Sequence, residues 1–260
     1  MKVLHVGDLH YALKQFDWLL DEAEHYDLVV CAGDLLDISA AVPIEAQIVV
    51  VLTYLENLAA RTQVVVCSGN HDLNRAVAGG AAGERVAGWL DLLDQFSICH
   101  DGQHRVFGRT LLSALPWWDG PVTKASVVAQ LQRDAAHRPS QGRWIWAHHA
   151  PPAKARVSWN GNRHFGDLEL LDWIETFEPD LVLSGHVHPA PFVPGGAWVD
   201  RVGSAWCFNM GHQIGPVPCH IALNLEPEEE AVWMSEAGPE RLSLARADAP
   251  EALTALPDWV

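Results

Sequence analysis

The sequence predicts a single α/β domain, and three observations carry that expectation. The first third alternates near-continuous apolar runs with amphipathic stretches, the pattern of parallel strands joined by helices. Each of the first three apolar runs ends in a small polar cluster: GDLH, GDLLD and SGNHD. Beyond residue 189 the helical periodicity stops and short strand-like runs follow one another.

Residues 2–6 read as the first strand and 16–25 as an amphipathic helix. A second strand covers 28–32, a longer helix 44–60 and a third strand 64–67. The stretch 76–88 is rich in glycine and alanine and reads as a loop, with a short helix over 89–93 after it. Its AVAGGAAGE run lacks the Gly-Lys-Ser/Thr ending of a phosphate-binding loop. Strands at 105–107 and 110–114 flank the turn Gly108-Arg109, and 122–136 is helical. Residues 143–147 form a strand ending in HHAPP. A helix over 168–177 takes Asp167 as its N-cap, where a carboxylate accepts from free N–H groups of the first turn. Pro179 stops that helix ahead of the strand 181–184. The runs 198–202, 205–209, 220–225 and 231–235 predict antiparallel sheet, with the acidic 227–230 as a solvated hairpin tip. The expected organisation is one domain over 1–240 and a Pro/Ala-rich, loosely packed tail over 241–260.

The chain has 260 residues, 49% of them hydrophobic, which is enough for a large core. No window approaches the run of about 18 apolar residues needed to span a bilayer. The opening MKVLHVGDLHY reads as a strand, not a signal peptide, so no membrane partner is expected. The five cysteines form no CxxC, and Cys31 and Cys67 fall in predicted core strands. That usage suits a reducing, cytoplasmic location without disulfides. A net charge of -16 repels DNA and anionic lipid at long range and argues against a broad duplex-binding face. It leaves room for a compact phosphate site, because bound cations reverse the field locally.

Taken singly, Asp8-Leu9-His10 or Gly33-Asp34 could close an ordinary turn. Recurrence is what counts: five successive strand ends carry Asp, Asn or His. Ligands in open α/β sheets gather outside the carboxyl ends of strands, so these clusters should converge. Carboxylate, amide oxygen and imidazole, without thiolate, suit Mn, Fe or Zn. Two such ions about 4 Å apart clamp the attacking and leaving oxygens of an in-line phosphoryl displacement. A bridging hydroxide becomes available near neutral pH because the metals lower its pKa.

Asp8-x-His10, Gly33-Asp34, Gly69-Asn70-His71-Asp72, His148-His149 and Gly185-His186-Val187-His188 resemble the signature blocks of the calcineurin-like metallophosphoesterases. They occur in that family's order, each after a predicted strand, between residues 8 and 188. The resemblance implies a four-layer α/β/β/α sandwich of two mixed sheets flanked by helices. It implies two divalent metal ions: Asp8, His10 and His188 around the first, Asn70, His148 and His186 around the second, Asp34 between them. His71 would lie beside the scissile phosphate, stabilising its charge or protonating the leaving oxygen, with Asp72 orienting the imidazole. In HHAPP, His148 is favoured as the ligand because it is the first residue past the strand. His149 is then a supporting or substrate contact. His5 reads as a buried histidine bonded to backbone, and His25, His100, His104 and His137 as surface residues.

What the resemblance implies is metal-dependent hydrolysis of a phosphoester, a diester such as a cyclic nucleotide or nucleic-acid end being favoured. A phosphomonoesterase is the nearest alternative. A protein-binding scaffold on the same fold is more distant, since a scaffold need not keep His71 or every ligand. The expected partner is thus a phosphoester substrate, nucleotides and single-stranded nucleic acid included. The loop AKARVSWNGNRHFGD places Lys154, Arg156, Trp159 and Arg163 near the expected site. They read either as phosphate and base contacts or as a solvated loop anchored by Trp159. His212, in a Gly-flanked turn, is a further candidate, and Trp117-Trp118 could line a groove.

Overall fold

Strand β1 (Lys2–Val6) is buried on both faces, and the architecture follows from covering them. In the computed structural model, which describes residues 1–246 and 248–260, Leu4 and Val6 face helices while Val3 faces a second sheet. After β1 come α1 (Leu13–Glu22), β2 (Leu28–Ala32), α2 (Ile44–Ala59) and β3 (Gln63–Cys67). A small hairpin of β4 (Arg75–Ala76) and β5 (Arg85–Val86) precedes β6 (His104–Phe107), β7 (Thr110–Ala114) and α3 (Pro121–Ala135). Then follow β8 (Arg143–Ala147), α4 (Leu168–Phe177), β9 (Leu181–Ser184), β10 (Val199–Val202) and β11 (Ala205–Asn209). The chain ends with β12 (His220–Asn224), β13 (Glu230–Met234), β14 (Glu240–Ser243) and β15 (Glu251–Ala252).

One sheet has the order β15-β14-β13-β12-β1-β2-β3 and the other β10-β11-β9-β8-β7-β6. Between them lies a core that includes Val30, Val65, Ile145, Leu183 and Phe208. Phe16, Leu19, Val51 and Leu55 pack α1 and α2 on the outer face of the first sheet. Val127, Leu131, Leu170 and Ile174 pack α3 and α4 on the outer face of the second, against Trp144 and Trp146. The layers therefore run α/β/β/α, as expected. Burying each such large apolar side chain contributes about 1.5–3 kcal/mol before chain entropy is subtracted. Asp167 caps α4 as predicted, accepting from Leu170 N at 3.1 Å.

The late strands pair antiparallel as expected, β10 with β11 and β12 with β13, but the two pairs join different sheets. β10 and β11 extend the second sheet, with β11 parallel to β9, whereas β12 lies antiparallel to β1 in the first. Both β1 and β9 would otherwise present unpaired backbone groups on a buried strand, so each attracts a partner. Strands β14 and β15 continue the first sheet through the segment expected to pack loosely. The 76–88 loop is pinned at both ends by the β4–β5 pairing. All five cysteines are buried and free. Among the described residues no helix is long and apolar enough to cross a membrane.

Three histidines differ from their sequence reading. His100 is buried against Asp94 at 3.1 Å, and His104 Nδ1 lies 2.7 Å from the buried Asp134. His5 is buried, but among the described residues neither ring nitrogen has a hydrogen-bond partner. Burial pushes its pKa down to about 3, only partly offset by the Asp8 charge. The unfolded chain binds a proton here near pH 6.5 that the folded chain refuses until about pH 3. Stability from this site is therefore lost as pH falls through that window, by about 1.4 kcal/mol per unit. His5→Leu is expected to remove that part of the acid sensitivity. Urea unfolding at pH 7 and pH 5 reads it, and equal pH slopes for wild type and variant would contradict it.

Candidate metal centre

The parallel registers of β1 with β2 and β3, and of β7 with β8 and β9, bring their carboxyl ends to one edge of the sandwich. The loops there are tied together: Asp8 N donates to Gly33 O at 3.0 Å and His10 N to Asp34 O at 2.9 Å. Asp8, His10, Asp34 and His186 all have positive φ, between 43° and 68°. Asp and His visit this left-handed region more readily than most residues, and it turns the chain sharply past each strand end. Two glycines permit the close approach that results. A Cβ at Gly69 would collide with Asp34 Oδ1, and one at Gly185 with Asp8 Oδ2.

Three overlapping groups of side chains could hold a cation: Asp8–His10–His188, His10–Asp34–His71 and Asp34–His149–His186, each with its donor atoms within 4.8 Å. His188 Nε2 lies 3.1 Å from Asp8 Oδ1 and 3.1 Å from His10 Nε2. Asp34 Oδ2 faces two groups at once, 3.9 Å from His10 Nε2 and 3.1 Å from His149 Nε2. Its other oxygen accepts from His71 N at 2.8 Å.

Burial alone would raise the carboxyl pKa values of Asp8 and Asp34. It is outweighed at Asp8 by the hydrogen bond to His188 and the surrounding imidazole charges, which hold the group well below the usual range. At Asp34 the charge and contact of His149 do the same. His10 and His186 are instead pushed down to about 4, chiefly by burial. Burial opposes charge on His149 too, but Asp34 prevails and moves its pKa upward. Among the described residues no Lys or Arg pairs with either carboxylate, so the buried charge is balanced by imidazole alone. Among the described residues Asn70 Oδ1 is buried without a hydrogen-bond partner. Ionised carboxylates, the imidazoles of His10 and His186 that burial keeps neutral, and the unpartnered Asn70 oxygen together fit a pair of divalent cations.

The structure reverses the expected order of the two adjacent histidines. His149 points between Asp34 and His186, with Nδ1 held 2.7 Å from Ala32 O. His148 turns the other way, stacking on Trp118 at 4.4 Å and placing Nδ1 3.3 Å from Leu115 O. Adjacent residues leaving a strand face opposite sides, and the inward side falls to the second of them.

Asp72 is also placed differently. It accepts from the backbone N–H groups of Asp34, Leu35, Leu36 and Gly69, so it shapes the loop and not the His71 ring. Burial and the Asp34 charge push its pKa up to about 7 against the pull of those donors. The carboxylate beside His71 is Asp37, with Oδ1 3.4 Å from Nδ1, a residue the sequence reading missed. Ile38 N approaches the same nitrogen at 3.3 Å. A bare Nδ1 accepts from Ile38, whereas a protonated one donates toward Asp37. The second carboxylate in GDLLD, three residues after Asp34, was the available signal.

His212 joins the site, with Nδ1 2.9 Å from Asp8 O and its ring 4.7 Å from that of His188. Trp117 sets its ring 5.2 Å from His186 and 5.7 Å from His149. The basic loop is occupied elsewhere. Arg156 donates to Gly196 O, Trp159 to Pro194 O, and Arg163 lies over the Phe165 ring.

Residues 1–190 match the family model described as calcineurin-like phosphoesterase. No curated protein sequence matches the chain. Among solved structures, it is similar to the protein TT1561 of Thermus thermophilus, with a TM-score of 0.56 and 14% identity over 94% of this chain and 98% of that one. It is also similar to purple acid phosphatase PPD1 from yellow lupin (Lupinus luteus) seeds, with a TM-score of 0.54 and 14% identity. That alignment covers 95% of this chain and 52% of the lupin protein. At such identities the likeness concerns the fold.

Proposed function

The chain belongs to the calcineurin-like phosphoesterase family, and from that premise we propose that it hydrolyses a phosphodiester using two divalent cations. The family generally uses a dinuclear centre. Asp8, His10 and His188 would hold one ion; Asn70, His149 and His186 would hold the other, with Asp34 shared. When bound, the pair supplies Lewis-acid polarisation of the phosphoryl oxygens and a nucleophile active near neutral pH. His71, with Nδ1 engaged by Asp37 or Ile38, keeps Nε2 free to give a proton to the leaving oxygen. His212 and Trp117 border the reacting phosphate and limit its access to water. The observation that carries the hydrolase reading is Asp34 Oδ2 facing both imidazole groups.

The preference for a diester rests on charge. Among the described residues no lysine or arginine pairs with the gathered carboxylates. A monoester dianion brings one more negative charge than a diester; beyond the cations themselves no paired lysine or arginine adds to the attraction, a contribution of about 1–4 kcal/mol per cationic side chain near 4 Å. With Mn2+ supplied, kcat/KM for an aryl phosphodiester is expected to exceed that for the matching monoester at least about tenfold. Cyclic nucleotides and single-stranded DNA belong in the same panel, and EDTA should abolish turnover. A monoester preference would replace the diester reading. An ion content near zero after Mn2+ supplementation, with no ester cleaved, would remove the enzyme reading altogether.

A further inference from the structure

We propose that Asp101 is a positioning residue for the second cation. Through Ser68 it fixes the backbone that delivers Asn70 and the indole that backs His149 and His186; this rests on the two-cation reading above. The chain around Cys99 runs parallel to the free edge of β3, with Val66 N donating to Cys99 O at 2.9 Å. Asp101 therefore leaves at the same edge of the sandwich as the ligand-bearing strand ends. Gly102 N donates to Ala114 O at 3.0 Å, which ties this turn to the last residue of β7, in the other sheet.

Asp101 Oδ1 accepts from Ser68 N at 2.8 Å. Ser68 is buried, and its Oγ accepts from Trp117 N at 3.0 Å. The next amide, Gly69 N, donates to Asp72 at 2.8 Å. Two successive amides leaving β3 are thus each fixed by a carboxylate, and Asn70 with its unpartnered buried oxygen follows at once. On the other side of Ser68, the Trp117 ring packs beside His149 and His186. One carboxylate from outside the metal loops therefore bears on three of the four donors assigned to the second ion. Among the described residues neither Asp101 nor Ser68 bonds to Asp8, His10 or His188, the donors of the first. Partners that orient ligands from behind typically alter metal affinity about 10–100-fold when removed, so the effect here should fall on one ion.

Stepwise Mn2+ binding to the full chain, followed by calorimetry, tests this. His149→Ala and His188→Ala, each short of one donor, mark which step belongs to which ion. Asp101→Ala is expected to weaken the second-ion step about 10–100-fold and to leave the first-ion step within about threefold. Asp101→Asn keeps an oxygen for Ser68 N and is expected to stay within about threefold of wild type at both steps. Ser68→Ala removes only the acceptor of Trp117 N and should also weaken the second-ion step alone; it decides the matter if Asp101→Ala does not fold. Equal losses at both steps, no loss in the folded variants, or a loss in Asp101→Asn as large as in Asp101→Ala would each overturn the proposal. A wild type that binds no Mn2+ would strike the two-cation reading and the proposal with it. Two ions in the wild type, with equal losses at both steps in Asp101→Ala, would strike the proposal alone.

Discussion

Asp34→Asn is expected to lower turnover by at least about 10^3-fold while leaving the protein folded. The polarisation that two cations supply is worth several kcal/mol, and each 1.36 kcal/mol is about tenfold in rate. Asp34 sits where the two imidazole groups meet, and no other carboxylate oxygen among the described residues is paired so closely with His149. Asparagine tolerates the φ of 51° at this position and can still accept from His71 N. It lacks the charge and replaces one oxygen with an N–H donor that cannot bind a cation. Metal analysis should therefore show fewer than two ions per chain, with a melting temperature little changed when both proteins are measured without metal. Activity within tenfold of wild type would mean that Asp34 is not shared between two ions.

His71→Ala is expected to reduce kcat about 10^2–10^4-fold with metal content intact. The ring lies 4.6 Å from that of His10 and is anchored through Nδ1, so its free nitrogen is placed to act on the substrate. The ions keep their other donors in the variant, and metal stoichiometry separates the two possible roles. If both ions were lost with the ring, His71 would belong among the ligands, as its closeness to His10 and Asp34 permits.

The fold was legible because the apolar runs are too short for helices and end in turn-prone clusters, and the βα alternation of the first third held element by element. What composition and period could not reveal was sheet membership. β10 and β11 read the same as β12 and β13, yet which free edge each pair covers is a long-range matter. The centre was legible through its recurring strand-end clusters, and Asp8, His10, Asp34, His186 and His188 come together. His148 and His149 were not separable, since only the exact point where β8 ends decides which ring faces inward. The role expected of Asp72 falls to Asp37 for a similar reason. A carboxylate adjacent to His71 in sequence proved to serve backbone N–H groups, while one from the neighbouring loop met the ring. Sequence proximity does not fix side-chain direction through a tight turn.

The candidate donors are drawn from both sheets: Asp8, Asp34 and Asn70 from one, His149, His186 and His188 from the other. The cleft is thus the seam of the sandwich, and occupancy and cohesion become linked quantities. Any cation the donors hold ties the halves together by mass action, and any loosening of the halves spreads the donors apart. Under cation scarcity such a protein would lose its reactivity and its resistance to unfolding together.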